Sequence, residues 1–152
     1  MKLLREALAF AGLAAQAAVL AHYWGALPSQ VPTHFNASGA IDGYGPKNAL
    51  MIPPVVTVMI YGLLSLISFF PESFNYPVKV TDENRPRLEP IALGLLGWLK
   101  VELTWLFAYI TWGSMRAAVG ETNGLGWQFL PLTLAAVFST TAVGIVLMRR
   151  AA

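Results

Sequence analysis

The sequence predicts an all-α integral membrane protein with four transmembrane helices. Four long apolar runs fill most of the 152 residues, at about 7–25, 49–70, 91–112 and 129–148. Each run comes close to the roughly 20 apolar residues that a helix needs to cross the hydrocarbon core of a bilayer. Charged residues make up only 12% of the chain, about half of the roughly 25% that is usual for a soluble domain. We therefore expect one membrane domain over 1–152, folded as an up-down helix bundle.

The composition also excludes several classes of function. The net charge of +2 comes from basic residues at the ends of the apolar runs, a distribution that does not predict nucleic-acid binding. The chain has no cysteine, so disulfides and thiolate sites are absent. No nucleophile elbow, metalloprotease helix or phosphate-binding loop is present, and we predict neither an enzyme nor a cofactor or resident metal.

Basic residues in the short loops predict the orientation of the helices. Cytoplasmic loops carry an excess of lysine and arginine, so the face with seven basic residues is expected in the cytoplasm and the face with two outside. We therefore expect the protein in the plasma (inner) membrane, with both termini and the middle loop in the cytoplasm. The loops at 26–48 and 113–128 are then outside. The seven are Lys2, Arg5, Lys79, Arg85, Arg87, Arg149 and Arg150, and the two are Lys47 and Arg116.

Prolines and polar residues mark the predicted helix ends. Asn48 is a candidate N-cap for the second helix, and Pro53 and Pro54 fit its first turn, where a missing N–H costs little. The polar stretch 81–84 is typical of a helix start. The third helix is therefore expected to begin before the membrane, with a kink at Pro90.

The loop at 26–48 is dense in turn-forming residues, which predicts a compact and ordered structure. Asn36 and Asp42 are expected to close Asx-turns, and Gly39, Gly43 and Gly45 to allow positive φ. The polar side chains that could recognise a ligand or partner are His34, Asn36, Asp42 and Lys47.

Residues 27–42 of this loop contain the motif L-P-x-x-V-P-x-H-F-N-x-x-G-x-x-D, and a lysine follows at position 47. With this motif the loop resembles the domain that opens the SdpI-type membrane proteins, the immunity family for sporulation-delaying toxin. The stretch 74–85 is similar to a second signature of that family. The resemblance implies recognition of an extracytoplasmic peptide or partner through residues 27–47. Two alternatives remain for the polar side chains: they satisfy backbone groups of the loop, or, with His22, they bind a metal. The residues that match the family pattern are Leu27, Pro28, Val31, Pro32, His34, Phe35, Asn36, Gly39, Asp42 and Lys47.

Two charged residues, Lys100 and Glu102, lie near the middle of the third apolar run. Charged groups are costly in hydrocarbon and normally face protein, water or each other. Residues two apart point about 200° away from each other on a helix, so each of these two needs its own partner. For Glu102 the candidate partners are Gln16 in the first helix and Tyr61 and Ser65 in the second.

Aromatic residues recur at steps of three and four along the third helix and form one stripe with Glu102. The stripe could serve a ligand, a proton or a partner helix, or it could be a packing seam between helices. Gly94, Gly97 and an alanine face of the first helix (Ala11, Ala14, Ala15, Ala18) are expected to allow close helix packing. The aromatic residues of the stripe are Trp98, Trp105, Tyr109 and Trp112.

We expect a small non-enzymatic membrane protein of immunity or sensing, whose partners are the lipid bilayer and a peptide toxin. The alternative is an accessory subunit of a larger respiratory, photosynthetic or transport complex, bound to other membrane-protein subunits through the aromatic stripe. A third hypothesis is a small transporter or channel gated at Glu102.

Overall fold

The computed structural model describes all 152 residues, and four α-helices account for most of them. Each helix, with the 3-10 turns that adjoin α1 and α2, is long and apolar enough to span a membrane. Four helices of sufficient length and hydropathy were predicted, and four are observed. The helices are α1 (Lys2–Tyr23), α2 (Ile52–Ile67), α3 (Arg85–Ala118) and α4 (Phe129–Ala151).

Helix α3 lies at the centre of the molecule, with the other three packed around it. It runs parallel to α1, because Arg5 of α1 lies beside Gly97 and Gln16 beside Thr111. It runs antiparallel to α4, because Arg87 donates to the carbonyl of Ala151. The helices alternate in direction as expected. The packing is not a closed four-helix bundle, since α4 contacts mainly α3 and leaves grooves on both of its sides.

Several helix ends differ from their predicted positions. Helix α3 is continuous over 34 residues and passes through Pro90, whose missing N–H leaves one carbonyl of the preceding turn without its helical hydrogen bond. Helix α2 begins at Ile52 rather than 49, after a 3-10 turn at Lys47–Met51. Asn48 lies inside that turn and does not cap α2, so this expectation was wrong. Pro53 and Pro54 occupy the first turn of α2, as expected.

The loop between α1 and α2 is a β-hairpin, which an all-α description misses. Strands β1 (Gln30–Phe35) and β2 (Ile41–Pro46) pair antiparallel, from Gln30 opposite Pro46 to Phe35 opposite Ile41. The segment is short and rich in glycine and proline, so it lacks the alternation of apolar and polar residues by which a sequence predicts strands. The fold is thus four helices plus one two-stranded sheet, and we call residues 30–46 the hairpin.

Two clusters of buried apolar side chains lie at opposite ends of α3. At the hairpin end, Met115 of α3 packs with Leu27, Val31 and Leu50. At the other end, Leu88, Ala92 and Met148 pack together, covered by apolar residues of the middle loop. The middle loop and both termini share this second end, which we call the termini end. Apolar residues of the middle loop that pack there are Phe74, Tyr76, Val78 and Val80.

The face that α1 turns toward α3 is not the predicted alanine face. The buried residues of α1 are Ala9, Gly12 and Gln16, which repeat at steps of three and four. A Cβ at Gly12 would lie 2.9 Å from the Thr104 hydroxyl, so this glycine sets the close approach of the two helices. The face with Ala11, Ala14 and Ala18 is exposed. Because alanine is tolerated both against lipid and against another helix, an alanine-rich face does not by itself predict which side of α1 contacts α3.

Candidate functional site

The hairpin packs against the C-terminal end of α3. Val31 and Pro32 of β1 are buried, and Val31 packs against Met115. Apolar burial on one side of a short strand pair supplies the stability that an isolated hairpin lacks. The other side of the hairpin is left exposed and held in a defined position.

The turn of the hairpin is built by Asn36 and Gly39. The Asn36 side chain accepts hydrogen bonds from the backbone N–H groups of Ser38 and Ala40, at 2.9 and 3.1 Å. Gly39 has a φ of 75°, a value that glycine adopts without strain. The expected turn role of Asn36 is confirmed.

The other two glycines of the hairpin do not have positive φ. They stand opposite bulky neighbours on β1 instead. A Cβ at Gly43 would lie 2.9 Å from the Cβ of His34, and one at Gly45 would lie 2.9 Å from Thr33. These positions need glycine because of cross-strand crowding, and the expectation of positive φ there was wrong.

His34 and Asp42 form a pair on the exposed side of the hairpin. The His34 Nδ1 and the Asp42 Oδ1 are 2.5 Å apart, and the side chains are 72% and 40% exposed. The expected Asx-turn role of Asp42 is therefore wrong, because its carboxyl is engaged with the imidazole across the strands. A carboxylate at Nδ1 orients the ring and leaves Nε2 free for another group.

The other candidate residues lie apart from this pair. Lys47 lies at the base of the hairpin, 4.9 Å above the ring of Trp24. His22 packs edge-to-face on Tyr23. No group of three or more His, Asp or Glu side chains is close enough to hold a metal ion. The structure thus brings together His34, Asp42 and the turn of Asn36, and leaves Lys47 and His22 elsewhere.

The loop between α3 and α4 joins the hairpin to form one surface. Leu125 donates its N–H to the carbonyl of Gly39 at 2.8 Å, and Ala40 forms a bridge with Gly124. Arg116 donates to Glu121 at 2.9 Å, and this hydrogen bond holds the pKa of the Glu121 carboxyl below its ordinary value. The sequence contained no pattern that linked these two loops.

Inside the membrane span, Lys100 is paired with a residue that the sequence analysis missed. Lys100 is only 2% exposed, and its Nζ donates to Glu6 at 2.7 Å and to Ser65 at 3.0 Å. Tyr61 donates to the other oxygen of Glu6 at 3.1 Å. Tyr61 and Ser65 therefore serve the Lys100–Glu6 pair and not Glu102, which corrects our expectation.

Glu102 has a different partner, Thr140 of α4, whose hydroxyl donates to its Oε1. Its Oε2 is buried without a hydrogen-bond partner. Gln16 is not a partner of Glu102 either, because its amide donates to Thr111 at 2.7 Å and to the carbonyl of Phe107 at 3.1 Å. Lys100 and Glu102 thus face different neighbours, as their spacing predicts.

The aromatic stripe contributes to packing within the chain and is also partly exposed. The Trp105 Nε1 donates to the carbonyl of Leu8 at 3.0 Å. Tyr109 stacks on Phe129 and donates to the carbonyl of Leu125 at 2.9 Å. The stripe residues are nevertheless 36% to 45% exposed: Trp98, Trp105, Tyr109 and Trp112.

Four apolar helices indicate a multi-pass membrane protein, here with a hairpin fixed to one end. A protein-family model described as "Domain of unknown function (DUF1648)" matches residues 11–58. The matched segment includes most of α1, the whole hairpin and the start of α2. No curated protein and no solved structure matches the chain significantly.

Proposed function

We propose that this chain is a non-enzymatic membrane protein that recognises an extracytoplasmic peptide or partner protein through the hairpin. The main observation behind the proposal is the exposed His34–Asp42 pair, which lies on a hairpin packed against the end of α3. The segment that matches DUF1648, residues 11–58, is centred on the hairpin. The resemblance of the 27–47 segment to SdpI-type proteins favours a role in immunity or sensing.

The proposal places the protein in the plasma (inner) membrane. Both termini and the middle loop are then in the cytoplasm. The hairpin and the α3–α4 loop share one end of the molecule through the Leu125–Gly39 hydrogen bond. The positively charged loops are at the other end, which is where cytoplasmic loops are expected. The hairpin would then face the side from which a secreted peptide arrives.

In this proposal His34 and Asp42 have different roles. Asp42 orients the imidazole through Nδ1, and His34 presents Nε2 to a polar group of the ligand. Asn36 holds the turn in shape through its backbone contacts. A preorganised pair loses little side-chain entropy on binding, which favours affinity from a small contact area.

Survival of toxin-sensitive cells tests this proposal. The chain is expressed in a bacterial strain that is sensitive to the sporulation-delaying toxin, and survival is measured over a range of toxin concentrations. We expect protection by the unaltered chain and its loss in His34→Ala and Asp42→Asn. Gln30→Ala, an exposed change at the other end of the same strand, is the matched control and should protect.

Two results would contradict different parts of the proposal. Absence of protection by the unaltered, membrane-inserted chain would reject the immunity role. Full protection by both His34→Ala and Asp42→Asn would retain immunity but reject the hairpin pair as the recognition surface.

A second candidate function is that of an accessory subunit of a larger membrane complex. The partial exposure of Trp105, at 45% within a membrane span, favours it, because tryptophan is normally found at the membrane interfaces. Extraction in mild detergent from the native host should then yield a large particle of fixed stoichiometry. Trp105→Ala should release the chain from that particle, whereas Trp105→Phe should keep it bound. A lone chain in the unaltered extract would reject this function.

A further inference from the structure

We propose that a groove between α1 and α4 binds one anionic phospholipid, with the lipid phosphate held by Arg5. The groove has a volume of about 500 Å³ and lies on the surface of α3 near the termini end. It exists because α4 packs on α3 and makes little contact with α1. We call it the lateral groove, and the residues that carry the argument are Arg5, Gly94, Leu95, Trp98, Val143 and Leu147.

Arg5 is a charged group without a partner in the protein. It takes part in none of the four salt bridges of the chain and in none of its side-chain hydrogen bonds. The neighbouring acid Glu6 is already engaged by Lys100 and Tyr61. A half-buried guanidinium that pairs with no carboxylate of the chain is stabilised by an anion from outside the protein.

The shape of α3 makes room for this side chain. Arg5 lies across two glycines, with its Nε 2.9 Å from the position that a Cβ would take at Gly97 and its Nη1 3.5 Å from that position at Gly94. The absence of side chains at these two positions lets the guanidinium approach α3 closely, with Nη1 beside Gly94, the glycine nearer the termini end. This is the snorkelling geometry that brings a basic group to the level of lipid phosphates.

The chemistry of the groove fits a phospholipid as its occupant. An arginine binds phosphate through two parallel hydrogen bonds, and Leu95, Val143 and Leu147 offer an apolar surface for an acyl chain. A lipid reaches the groove from the bilayer plane, through the gap between α1 and α4. Other basic residues at the termini end, namely Lys2, Arg87, Arg149 and Arg150, favour lipids of net negative charge.

Glu102 sets the direction in which the lipid lies. Its carboxyl lines the far end of the groove, five residues along α3 from Gly97 and therefore about 7.5 Å deeper. Because a carboxylate repels a phosphate, the Arg5 end is the one that suits the head group. The proposal is independent of peptide recognition at the hairpin, which is at the opposite end of α3.

Native mass spectrometry of the full chain in mild detergent tests this inference. The probe is an equimolar mixture of phosphatidylglycerol and phosphatidylcholine with the same acyl chains. We expect one bound lipid, with phosphatidylglycerol retained about tenfold over phosphatidylcholine. Both lipids offer a phosphate to Arg5, but the positive choline of phosphatidylcholine is repelled by the guanidinium. Arg5→Gln should abolish the preference, whereas Lys47→Gln, which removes a positive charge at the hairpin end of the molecule, should keep it.

A second pair of variants tests the groove itself. Val143 and Val146 are both exposed on α4, at 58% and 45%, but only Val143 lines the groove. Val143→Trp should block lipid retention with Arg5 intact, and Val146→Trp should leave it unchanged. Circular dichroism and gel filtration establish that each variant is folded.

Three outcomes would overturn the inference. They are equal retention of the two lipids by the unaltered chain, unchanged preference in Arg5→Gln, and unchanged retention in Val143→Trp. Displacement of the lipid by millimolar inorganic phosphate would also contradict it, because it would identify a free anion as the ligand of Arg5.

Discussion

Buried charge in this protein is paired across helices that are distant in the sequence. Lys100 is almost fully buried, and its ammonium is neutralised by Glu6, 94 residues earlier, with Ser65 and Tyr61 completing the cluster. Three helices thus meet at one polar cluster beside the middle of α3. The cluster gives α1 and α2 fixed positions around α3.

Breaking this pair should destabilise the fold. We expect Lys100→Met to lower the free energy of unfolding by about 3 kcal/mol, because it leaves Glu6 without its cation. The estimate is at the lower end for such a change, since the Glu6 side chain is 36% exposed. Unfolding in mixed micelles with increasing dodecyl sulfate, followed by tryptophan fluorescence, measures the effect.

The double variant Glu6→Gln/Lys100→Met is the matched control. Removing both charges should recover part of the lost stability, because no unpaired charge remains. Equal stability of Lys100→Met and the unaltered chain would mean that Glu6 is solvated independently of Lys100.

At the scale of elements, the contact between α1 and α3 depends on a single small residue. Gly12 lies where α1 crosses Thr104, whose hydroxyl and backbone leave no room for a methyl group. Gly62 of α2, by contrast, has nothing within 4 Å of the position of a Cβ. The two glycines have the same helical setting but opposite steric surroundings, which makes them a natural comparison.

We expect Gly12→Ala to destabilise the protein and Gly62→Ala not to. The first change pushes α1 from α3 and should cost about 1–3 kcal/mol. The second replaces glycine by a better helix former without a clash and should be neutral or stabilising, by up to about 1 kcal/mol. Thermal unfolding in detergent compares them. Equal behaviour of the two variants would show that α1 does not approach α3 closely at Gly12.

At the scale of the whole molecule, the proposed orientation makes a prediction about access from each side. The chain has no cysteine, so single cysteines can be introduced without background labelling. Ser38 of the hairpin turn, Ser73 of the middle loop and Ala152 are all exposed. A membrane-impermeant maleimide should label Ser38→Cys in intact cells.

The variants Ser73→Cys and Ala152→Cys provide the opposite readout. They should be labelled only after the cells are permeabilised, because the proposal places both in the cytoplasm. Labelling of Ser73→Cys in intact cells together with protection of Ser38→Cys would reverse the orientation and exclude the hairpin from contact with a secreted peptide.

The sequence by itself determined the number of helices, the alternation of their directions and the turn at Asn36. These features depend on local properties: apolar length decides what spans a bilayer, and an Asn side chain bonds to backbone only a few residues away. Alternation follows because short loops can join only neighbouring helix ends. The separation of Lys100 and Glu102 onto different sides of α3 is local in the same sense, since it follows from helix geometry.

Only the tertiary structure decided which groups are partners and which surfaces are buried. Glu6 lies among charged residues before the first apolar run, so hydropathy left it outside the predicted span, and packing against α3 placed it beside Lys100. The inner face of α1 was likewise decided by the fit of Gly12 against Thr104 rather than by its alanines. The physical reason is that burial of a polar group depends on a partner from another helix. The position of that partner follows from how α1, α2 and α4 surround α3.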